Sequence, residues 1–444
     1  MLDIKFIREN VEAIAEAAKN KNIKFDLNRL LEIDKERRLL MTKLDKIRAQ
    51  RNELARLAQG GRPTDEQIKT GKKLKEKAIQ IEDQLKLMEV EYEDLMVQVP
   101  TITAGDVPVG KDESENREIE KKGEPTKFDF EFKDHLQLGK DLDIIDFERG
   151  VKVSGYRGYY MKNEGVGLQM ALMMFALEKL VAKGFAPMIP PTLVKEYVLF
   201  GSGYFEGKHF DEEKDEVYKI ANKEIEADGN SNKEDKFLIG TAEPSLLAYY
   251  SGETLDIRQL PIKLCGFSPC YRSEIGSYGK DTKGLYRVHE FMKVEQVCLC
   301  EAKVEEAEKL HREMLEISKE LHLEIGLPYR VLEICTGDMS AGKYRMFDLE
   351  VWMPSRNGYG ETGSASNFLD WQARRLNVRY KDGENQKKHV FMLNNTAIPS
   401  PRFIIAILEN FQQVDGSVKI PEVLQRYMPG GIKKIKVKKN LGFK

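Results

Sequence analysis

The chain has 444 residues, more than one typical domain contains, so we expect two domains. Its net charge of −2 means that nucleic-acid binding would depend on local basic patches. Five cysteines, odd in number and without a Cys-x-x-Cys pair, predict buried reduced thiols rather than disulfides or a zinc site, and the lack of a signal core or an apolar run of about 20 residues predicts a cytoplasmic protein.

The first hundred residues are predicted to be helical. A short helix over residues 1–18, capped by Asp3, precedes two series of apolar residues at heptad spacing, 30–54 and 74–99. The Gly-Gly-Arg-Pro break at 60–63 prevents one continuous helix. The two series therefore predict an antiparallel two-helix hairpin over about 27–99, with helices of about 50 Å at ~1.5 Å per residue.

Basic side chains concentrate near the turn of this hairpin, whereas acidic side chains dominate the far end of its second helix. The pattern indicates either a solvated coiled-coil surface or a surface that binds a phosphate backbone, and the hairpin alone favours neither. In the second interpretation, nucleic acid is bound by Lys43, Lys46, Arg48, Arg51, Arg56, Lys72, Lys73 and Lys75.

The remaining chain is predicted to hold a linker, 101–127, and a second domain, 128–444. An amphipathic helix over 166–182 precedes a strand over 185–193, whose prolines are typical of an edge strand. Residues 211–236 are polar and predict an exposed loop. The tail at 432–439 is basic, which indicates either a solvated end or an auxiliary contact with RNA.

Residues 267–295 have the outline of a β-hairpin and read FSPCYRSEIGSYGKDTKGLYRVHEFMKVE. Because alternate residues of a strand share a face, we expect Arg272 and Glu274 to be neighbours, with Arg287 approaching from the returning strand. Two guanidiniums beside a carboxylate, next to a loop rich in Gly and Lys, indicate a nucleotide triphosphate site.

Three further stretches carry candidate ligand contacts. Thr241 and Glu243 fit both a helix N-terminus with Thr241 as its cap and a ligand-binding loop. Glycines at 360–367 let the backbone approach a ligand, and Glu361 offers oxygen to Mg²⁺. Arg402 opens an apolar helix whose first turn should prefer acidic residues, so we expect an anion there.

Together these stretches resemble the class II aminoacyl-tRNA synthetases, and the seryl-tRNA synthetases in particular. Arg272-x-Glu274 followed by Arg287-x-x-x-Phe291 is similar to motif 2, Gly-Phe-x-Pro at 184–187 to motif 1, and the Arg402 helix to motif 3. The resemblance implies an α+β fold, in which an antiparallel β-sheet catalytic domain is flanked by helices and an N-terminal antiparallel two-helix coiled-coil arm binds tRNA.

The function implied by the resemblance is ATP-dependent activation of L-serine to seryl-adenylate, followed by transfer to tRNA(Ser), and to tRNA(Sec) where that is present. The resemblance also implies a homodimer formed through the motif 1 region and Mg²⁺ as the cofactor. Arg272 and Arg402 would be catalytic, and the loop at 277–283 would guide the acceptor end of the tRNA.

The resemblance assigns residues to each ligand. ATP contacts are implied for Arg272, Ser273, Glu274, Arg287, Phe291, Glu361, Thr362, Gly363, Ser364 and Arg402. Serine contacts are implied for Thr241, Ala242, Glu243, Arg272, Glu295 and Thr396. Glu361 and Ser364 would bind the metal.

Two features depart from the family pattern, and other features of the chain disfavour alternative functions. Ile398-Pro399-Ser400-Pro401 precede Arg402 where common bacterial members have glycines, and Thr362-Gly363-Ser364-Ala365 replaces a Ser-Ser-Cys pattern. A paralogue that charges a carrier protein would not need the full-length arm. A paralogue that binds RNA without catalysis is disfavoured by the presence of Arg272, Glu274, Glu295 and Arg402. A coiled-coil interaction protein would leave the charged clusters of the second domain unexplained.

Overall fold

The computed structural model describes residues 1–57, 64–205, 207–221, 234–275 and 284–438. Within the chain, two compact units are distinguished, Met1–Pro100 and Thr101–Lys444. The predicted turn at 60–63 and the loop at 277–283 lie outside the described residues.

The first unit is helical, as predicted, with α1 Ile4–Glu9, α2 Val11–Asn20, α3 Leu27–Leu57 and α4 Asp65–Gln98. Asp3 caps α1 by accepting a hydrogen bond from the N–H of Lys5. The single helix expected over 1–18 is wrong, because Asn10 adopts φ −130° and ψ 37°, outside the helical range, and separates α1 from α2.

Helices α3 and α4 pack against each other as the predicted hairpin, and the heptad positions Leu30, Ile33, Leu44 and Ala78 are buried. Ion pairs join the two helices along their edges at Arg29–Glu91 (2.8 Å), Arg37–Glu89 (2.5 Å) and Arg48–Glu82 (2.9 Å). The buried heptad positions and the flanking ion pairs thus stabilise the same pairing of the two helices.

Eight of the eighteen described strands of the second unit form one sheet, and the others form smaller sheets. The strands are β1 Arg117–Lys122, β2 Ile145–Asp146, β3 Tyr160–Met161, β4 Ala186–Met188, β5 Leu193–Lys195, β6 Tyr218–Lys219, β7 Lys236–Leu238, β8 Thr254–Asp256, β9 Ile262–Tyr271, β10 Glu290–Cys300, β11 Tyr329–Glu333, β12 Arg345–Met353, β13 Gly358–Asn367, β14 Arg379–Lys381, β15 Lys387–His389, β16 Phe391–Pro399, β17 Val418–Lys419 and β18 Lys434–Ile435. The helices are α5 His135–Asp141, α6 Phe147–Ser154, α7 Glu164–Ala182, α8 Glu196–Ser202, α9 Glu243–Ala248, α10 Val304–Ile325, α11 Trp371–Leu376, α12 Ser400–Asn410 and α13 Glu422–Gln425.

The main sheet has the strand order β1-β11-β12-β13-β16-β10-β9-β4. Its neighbouring strands are antiparallel except at one edge, where β4 pairs parallel with β9. Helices α7, α10 and α12 pack on the sheet and bury Leu168, Leu172, Met314, Phe403 and Ile404 in the largest hydrophobic core. This arrangement confirms the expected antiparallel sheet flanked by helices.

Three element predictions require correction. The segment 101–127, expected as a linker, contains β1, which pairs with β11 at the edge of the main sheet. The strand expected over 185–193 is limited to Ala186–Met188, because Pro190 and Pro191 lack the N–H groups that a ladder needs. Within the predicted loop at 211–236, β6 and β7 pair with each other, while residues 222–233 lie outside the described part of the chain.

Helix α7 is, among the described residues, the one helix long and apolar enough to cross a membrane, by length and composition only, and half of its most apolar window is buried inside the fold. The predicted apolar side of this helix, with Leu168, Leu172, Phe175, Ala176 and Leu180, is buried. The five cysteines are free and buried, as expected, and burial raises the pKa of the Cys265 thiol to about 12.

Candidate active site

Strands β9 and β10 bring the predicted motif 2 residues to one end of the sheet. Tyr271 is the last residue of β9 and faces Glu290, the first residue of β10. Just beyond the strands, the N–H of Arg272 donates to the carbonyl of His289 (3.0 Å), and His289 Nδ1 donates to the carbonyl of Arg272 (2.8 Å). This double link fixes the backbone of Arg272.

The backbone at Glu274 differs from the prediction that Arg272 and Glu274 are alternate residues of one strand. The two residues do not alternate on one strand, because β9 ends at Tyr271 and Glu274 has a left-handed backbone with φ 56°. A non-glycine residue in this conformation is uncommon and is held by its surroundings. Glu274 is placed by its side-chain partners rather than by the strand pleat.

Two guanidiniums hold the Glu274 carboxylate. Arg157 Nη1 lies 3.0 Å and Arg287 Nη1 lies 3.3 Å from Glu274 Oε2. The side chains of Arg157 and Glu274 are only 4% and 7% exposed, so their attraction is little screened by water. Arg157 was not predicted as a site residue, because its only local sign is its position in the Ser-Gly-Tyr-Arg-Gly turn that follows α6.

Arg402, in the first turn of α12, faces Glu361 of β13. Arg402 Nη1 lies 3.1 Å from Glu361 Oε2 and donates to the Glu361 carbonyl at 2.9 Å. Its Nε donates to the carbonyl of Tyr286 (3.4 Å), and its Cζ lies 4.6 Å from the centre of the Tyr286 ring. Burial works against ionisation of Glu361, but Arg402 and then Arg272 lower the pKa of its carboxyl.

The proline-rich approach to Arg402 is compatible with this geometry. Strand β16 ends at Pro399 and α12 begins at Ser400, so Pro401 lies in the first helical turn, where no N–H partner is needed. The prolines therefore allow the helix that carries Arg402 to begin directly after the strand.

An open cleft with a volume of about 490 Å³ lies between these elements. Arg272 Cζ is 5.7 Å from the centre of the Phe291 ring, so a cation and an aromatic face border the same space. The cleft is lined by Arg272, Glu274, Tyr286, Arg287, Val288, Phe291, Lys293, Glu361, Thr362, Gly363, Thr396, Pro399, Pro401 and Arg402.

Two of the expected ATP contacts are not among these lining residues, and a third turns its side chain elsewhere. Ser273 and Ser364 lie outside the lining set, and the Ser273 hydroxyl is buried. Thr362 Oγ1 donates to the carbonyl of Leu349 (3.2 Å) and lies 2.7 Å from His322 Nε2, so only the backbone of Thr362 is directed toward the cleft.

A second group of polar residues lies beside Thr396 on the paired strands β10 and β16. Thr396 Oγ1 donates to Glu295 Oε2 (3.2 Å), and Lys293 Nζ lies 2.5 Å from the same oxygen and 3.3 Å from Thr396 Oγ1. Lys293 and Glu295 share a face because they are two apart on β10. Lys293 was not predicted as a site residue, although its spacing from Glu295 in a mostly apolar strand was a usable signal.

The segment expected to bind serine is joined to Arg272, whose Nε donates to the carbonyl of Gly240 (3.3 Å). The expected cap at Thr241 is wrong, because α9 begins at Glu243 with Ala242 as its N-cap, and Thr241 Oγ1 is 3.5 Å from the N–H of Glu243. Tyr204, also missed, packs so closely on Gly240 that a Cβ there would lie 3.1 Å from its ring.

The Glu243 carboxylate is buried behind this segment. Its Oε1 accepts hydrogen bonds from Gln372 Nε2 (2.7 Å) and Asn394 Nδ2 (2.6 Å). Burial, together with the nearby charge of Glu295, raises the pKa of Glu243 to about 7. Thr241, Ala242, Glu243 and Glu295 are not among the residues that line the cleft; of the expected serine contacts, Arg272 and Thr396 line it. Two neighbouring carboxyls, one of them bonded to the cleft residue Thr396, suit a ligand that carries an ammonium group.

The residues near Glu361 fit a magnesium ion. Asp348 of β12 lies directly opposite Ser364 of β13 and accepts a hydrogen bond from it. Asp348 Oδ1 is buried without a hydrogen-bond partner, and burial, followed by the charge of Glu361, raises the pKa of Asp348 well above its usual range. A bound cation would favour the ionised form of this carboxyl, and two carboxylates with a hydroxyl are oxygen ligands that Mg²⁺ uses.

The basic residues predicted on the arm are all exposed on α3 and α4. Two of the eight form ion pairs within the arm: Arg48 pairs with Glu82 of the other helix at 2.9 Å, and Arg56 pairs with Glu53 of its own helix at 3.5 Å. The other six present their ammonium or guanidinium groups on the helix surfaces, so the charge expected from the sequence is displayed.

Comparisons with known proteins extend over almost the whole chain. The family model for the seryl-tRNA synthetase N-terminal domain matches residues 1–103, and that for the tRNA synthetase class II core domain (G, H, P, S and T) matches residues 218–411. A serine–tRNA ligase of Treponema denticola is 43% identical over 432 residues, and one of Borrelia garinii is 42% identical over 433 residues. Each alignment covers 96% of this chain and 98% of the relative.

Among solved structures, a seryl-tRNA synthetase from Pyrococcus horikoshii complexed with ATP is similar, with a TM-score of 0.87 and 36% identity. The match covers 99% of this chain and 100% of that one. The strand order that unites Arg272, Glu361 and Arg402, the helical hairpin and these full-length matches lead to one conclusion: the chain belongs to the seryl-tRNA synthetase family of class II aminoacyl-tRNA synthetases.

Proposed function

We propose that the protein activates L-serine with ATP and transfers the seryl group to tRNA(Ser), and to tRNA(Sec) where that is present. The observation that carries this proposal is the position of Arg272. Its guanidinium borders the cleft beside Phe291, while its Nε is bonded to the segment that leads to Thr241, Ala242 and Glu243. One cation is therefore placed to touch the reacting groups of both small substrates.

The reaction has two steps. In the first, a serine carboxylate oxygen bonds to the α-phosphorus of ATP, the bond from that phosphorus to the bridging oxygen breaks, and pyrophosphate leaves. In the second, the terminal adenosine hydroxyl of the tRNA attacks the seryl carbonyl, loses its proton, and AMP leaves. Positioning and charge neutralisation supply most of the rate enhancement in such transfers, which explains a site built from arginines.

ATP is held by residues around the cleft. Arg272 neutralises the α-phosphate and the incoming carboxylate, and Phe291 stacks on adenine, whose amino group donates to Glu274. Arg287 and Arg402 hold the β- and γ-phosphates by charge-assisted hydrogen bonds. Ser273, Thr362 and Gly363 contribute through the backbone.

Serine occupies the end of the cleft near Thr396. Glu295 and Glu243 attract its ammonium group, Thr241 and Ala242 border it, and the Thr396 hydroxyl bonds to the serine hydroxyl. A buried hydroxyl partner discriminates strongly against alanine, because alanine would leave that partner unpaired. Lys293, paired with Glu295 at 2.5 Å, tempers the negative charge of the pocket.

Glu361, Ser364 and Asp348 would hold Mg²⁺, which neutralises phosphate charge and polarises phosphoryl oxygens when bound. The support is the unsatisfied buried oxygen of Asp348 opposite Ser364. Glu361 then has a double role in this chain, because it also orients Arg402.

Two surfaces complete the proposal. The exposed basic residues of α3 and α4 bind the tRNA backbone. A homodimer forms through the motif 1 region, where α7 exposes Val166, Met170, Met174 and Val181 and the chain after β4 exposes Ile189. Reduced thiols at the five cysteines agree with a cytoplasmic location.

The proposal is tested by serine-dependent exchange between ATP and pyrophosphate, and by charging of tRNA(Ser), with alanine and threonine as competing amino acids. Arg272→Ala should reduce exchange at least about a hundredfold. Arg258→Ala is the matched control, because Arg258 is 85% exposed and pairs only locally with Asp256. Wild-type protein that exchanges pyrophosphate equally well without serine would contradict the function, and undiminished exchange by Arg272→Ala would contradict the role of Arg272.

A further inference from the structure

A buried hydrogen-bond chain connects α12 to the segment 284–288, which returns into β10. Within it, the imidazole of His135, the first residue of α5, bridges Glu409 of α12 and Leu285. We propose that His135 is a positioning residue that holds residues 284–288 in the conformation that binds ATP. This inference rests on the proposed function.

The hydrogen bonds define the state of the ring. The backbone N–H of Leu285 donates to His135 Nε2 at 3.3 Å, so Nε2 must carry a lone pair. The proton then resides on Nδ1, which donates to Glu409 Oε1 at 2.8 Å. Both ring nitrogens are thus in use, and the side chain is only 11% exposed.

Glu409 is held by burial and by several hydrogen bonds. Its carboxylate is completely buried near the end of α12 and also accepts hydrogen bonds from the N–H of His135 (3.1 Å) and from the N–H (3.0 Å) and Oγ (2.7 Å) of Ser355. Burial opposes its ionisation, but the hydrogen bond from His135 lowers the pKa of this carboxyl. Glu409 therefore accepts hydrogen bonds from both His135 and Ser355, and its bond to Nδ1 orients the His135 ring.

The segment held by His135 carries two residues of the ATP site. The Tyr286 hydroxyl accepts a hydrogen bond from the N–H of Glu361 (2.9 Å), and the Tyr286 carbonyl accepts one from Arg402 Nε (3.4 Å). Arg287 pairs with Glu274 at 3.3 Å. A displacement of Leu285 would move both neighbours, so the ring acts on ATP through Tyr286 and Arg287 and does not touch the nucleotide.

Gly284 provides the second observation. It has φ +81°, and a Cβ added there would lie 2.1 Å from His135 Nε2. The backbone approaches the ring so closely that only glycine leaves room for it. The chain is therefore shaped around this imidazole at two consecutive residues, 284 and 285.

If His135 had only a structural role, its replacement would affect the binding of ATP and of serine alike. A positioning role predicts an effect on ATP binding alone, so the test compares the two substrates. His135→Asn keeps an N–H donor for Glu409 but is too short to reach Leu285, whereas Gly284→Ala keeps the histidine and displaces its ring. Leu138→Ala, in the same helix and fully buried, removes packing without a polar link and is the control for lost stability.

The full-length variants are measured by pyrophosphate exchange at varied ATP and varied serine, with melting temperature as a second readout. We expect the KM for ATP to rise about five- to tenfold in His135→Asn and in Gly284→Ala, with the KM for serine within about twofold of wild type. Leu138→Ala should lower the melting temperature without raising the KM for ATP.

An ATP KM within twofold of wild type in either test variant would overturn the proposal, as would an equal rise in Leu138→Ala. If His135→Asn does not fold, Gly284→Ala alone decides the question. Failure of the proposed function is distinct, because it would show as an absence of serine-dependent exchange in the wild-type protein.

Discussion

Glu361 Oε2 lies 3.1 Å from Arg402 Nη1, and the same guanidinium nitrogen donates to the Glu361 carbonyl at 2.9 Å. The two residues are 41 apart in sequence, and their contact joins strand β13 to helix α12 at the cleft. In the proposed complex, the pair holds Arg402 beside the phosphates of ATP.

The first prediction follows from the planarity of this guanidinium, which contacts Glu361, the Tyr286 carbonyl and the Tyr286 ring together. Arg402→Lys should therefore reduce exchange nearly as much as Arg402→Ala, at least about tenfold, because a lysine ammonium cannot reproduce these contacts at once. Steady-state exchange kinetics at varied ATP measure this. A lysine variant within twofold of wild type would show that charge alone is sufficient.

The second prediction concerns the buried pair of Arg157 and Glu274, which are 117 residues apart. Arg157→Met leaves Glu274 with weaker compensation in a buried site, and should reduce the free energy of unfolding by about 3 kcal/mol and raise the KM for ATP. Urea unfolding and exchange kinetics measure the two effects. The double variant Arg157→Met with Glu274→Gln should recover stability but not ATP binding; recovery of both would remove Glu274 from the ATP site.

The third prediction is a pH dependence at Glu243, whose pKa is about 7 in the folded protein and near 4.5 when unfolded. Between these values the folded state binds a proton that the unfolded state does not, so stability from Glu243 is full below pH 4.5 and is lost as pH rises through 7. Relative to Glu243→Gln, which does not titrate, the wild type should lose up to about 3 kcal/mol over this range.

Serine binding should change in the opposite direction. An ammonium ligand prefers ionised Glu243, so the KM for serine should rise as pH falls below 7, and Glu243→Gln should have a high, flat KM. Chemical unfolding and exchange kinetics at several pH values measure both effects. A serine KM for the wild type that is independent of pH from 5.5 to 8 would exclude Glu243 as a partner of the ammonium.

The fourth prediction separates the arm from the chemistry. Replacing Lys72, Lys73 and Lys75 by alanine should raise the KM for tRNA about tenfold and weaken its salt dependence, because fewer phosphate contacts release counterions. Serine-dependent exchange should be unchanged. Lys35→Ala with Lys86→Ala, exposed on the same helices but in their acidic part, is the control. Equal effects of the two sets on charging would indicate that the arm acts by overall charge only.

The fifth prediction tests the proposed dimer. Met170 and Met174 are 40% and 47% exposed on α7, and Met170→Glu with Met174→Glu should produce monomers in sedimentation velocity runs, because charges would be buried in an apolar interface. Val414→Glu, at a site 81% exposed outside this helix, should leave the mass unchanged. A wild type that sediments as a monomer would exclude the homodimer.

Local patterns explain which features could be predicted. The heptad spacing of α3 and α4 needs only neighbouring turns, and the β9–β10 hairpin needs only adjacent strands, so both are present as expected. The linker prediction failed because β1 is polar and short. An edge strand of this kind is recognised only by its partner β11, more than 200 residues away.

By itself the sequence determined the helical hairpin, the motif 2 strands and the identities of Arg272, Glu361 and Arg402, because these depend on residue type and short spacing. Only the tertiary structure decided how they are held. His135 and Arg157 acquire their partners when distant strands and helices pack, as Lys293 does with Thr396, and a contact between residues 285 and 135 has no periodicity in the chain. Burial then gives these contacts their strength, since the same pairs in water would be worth little.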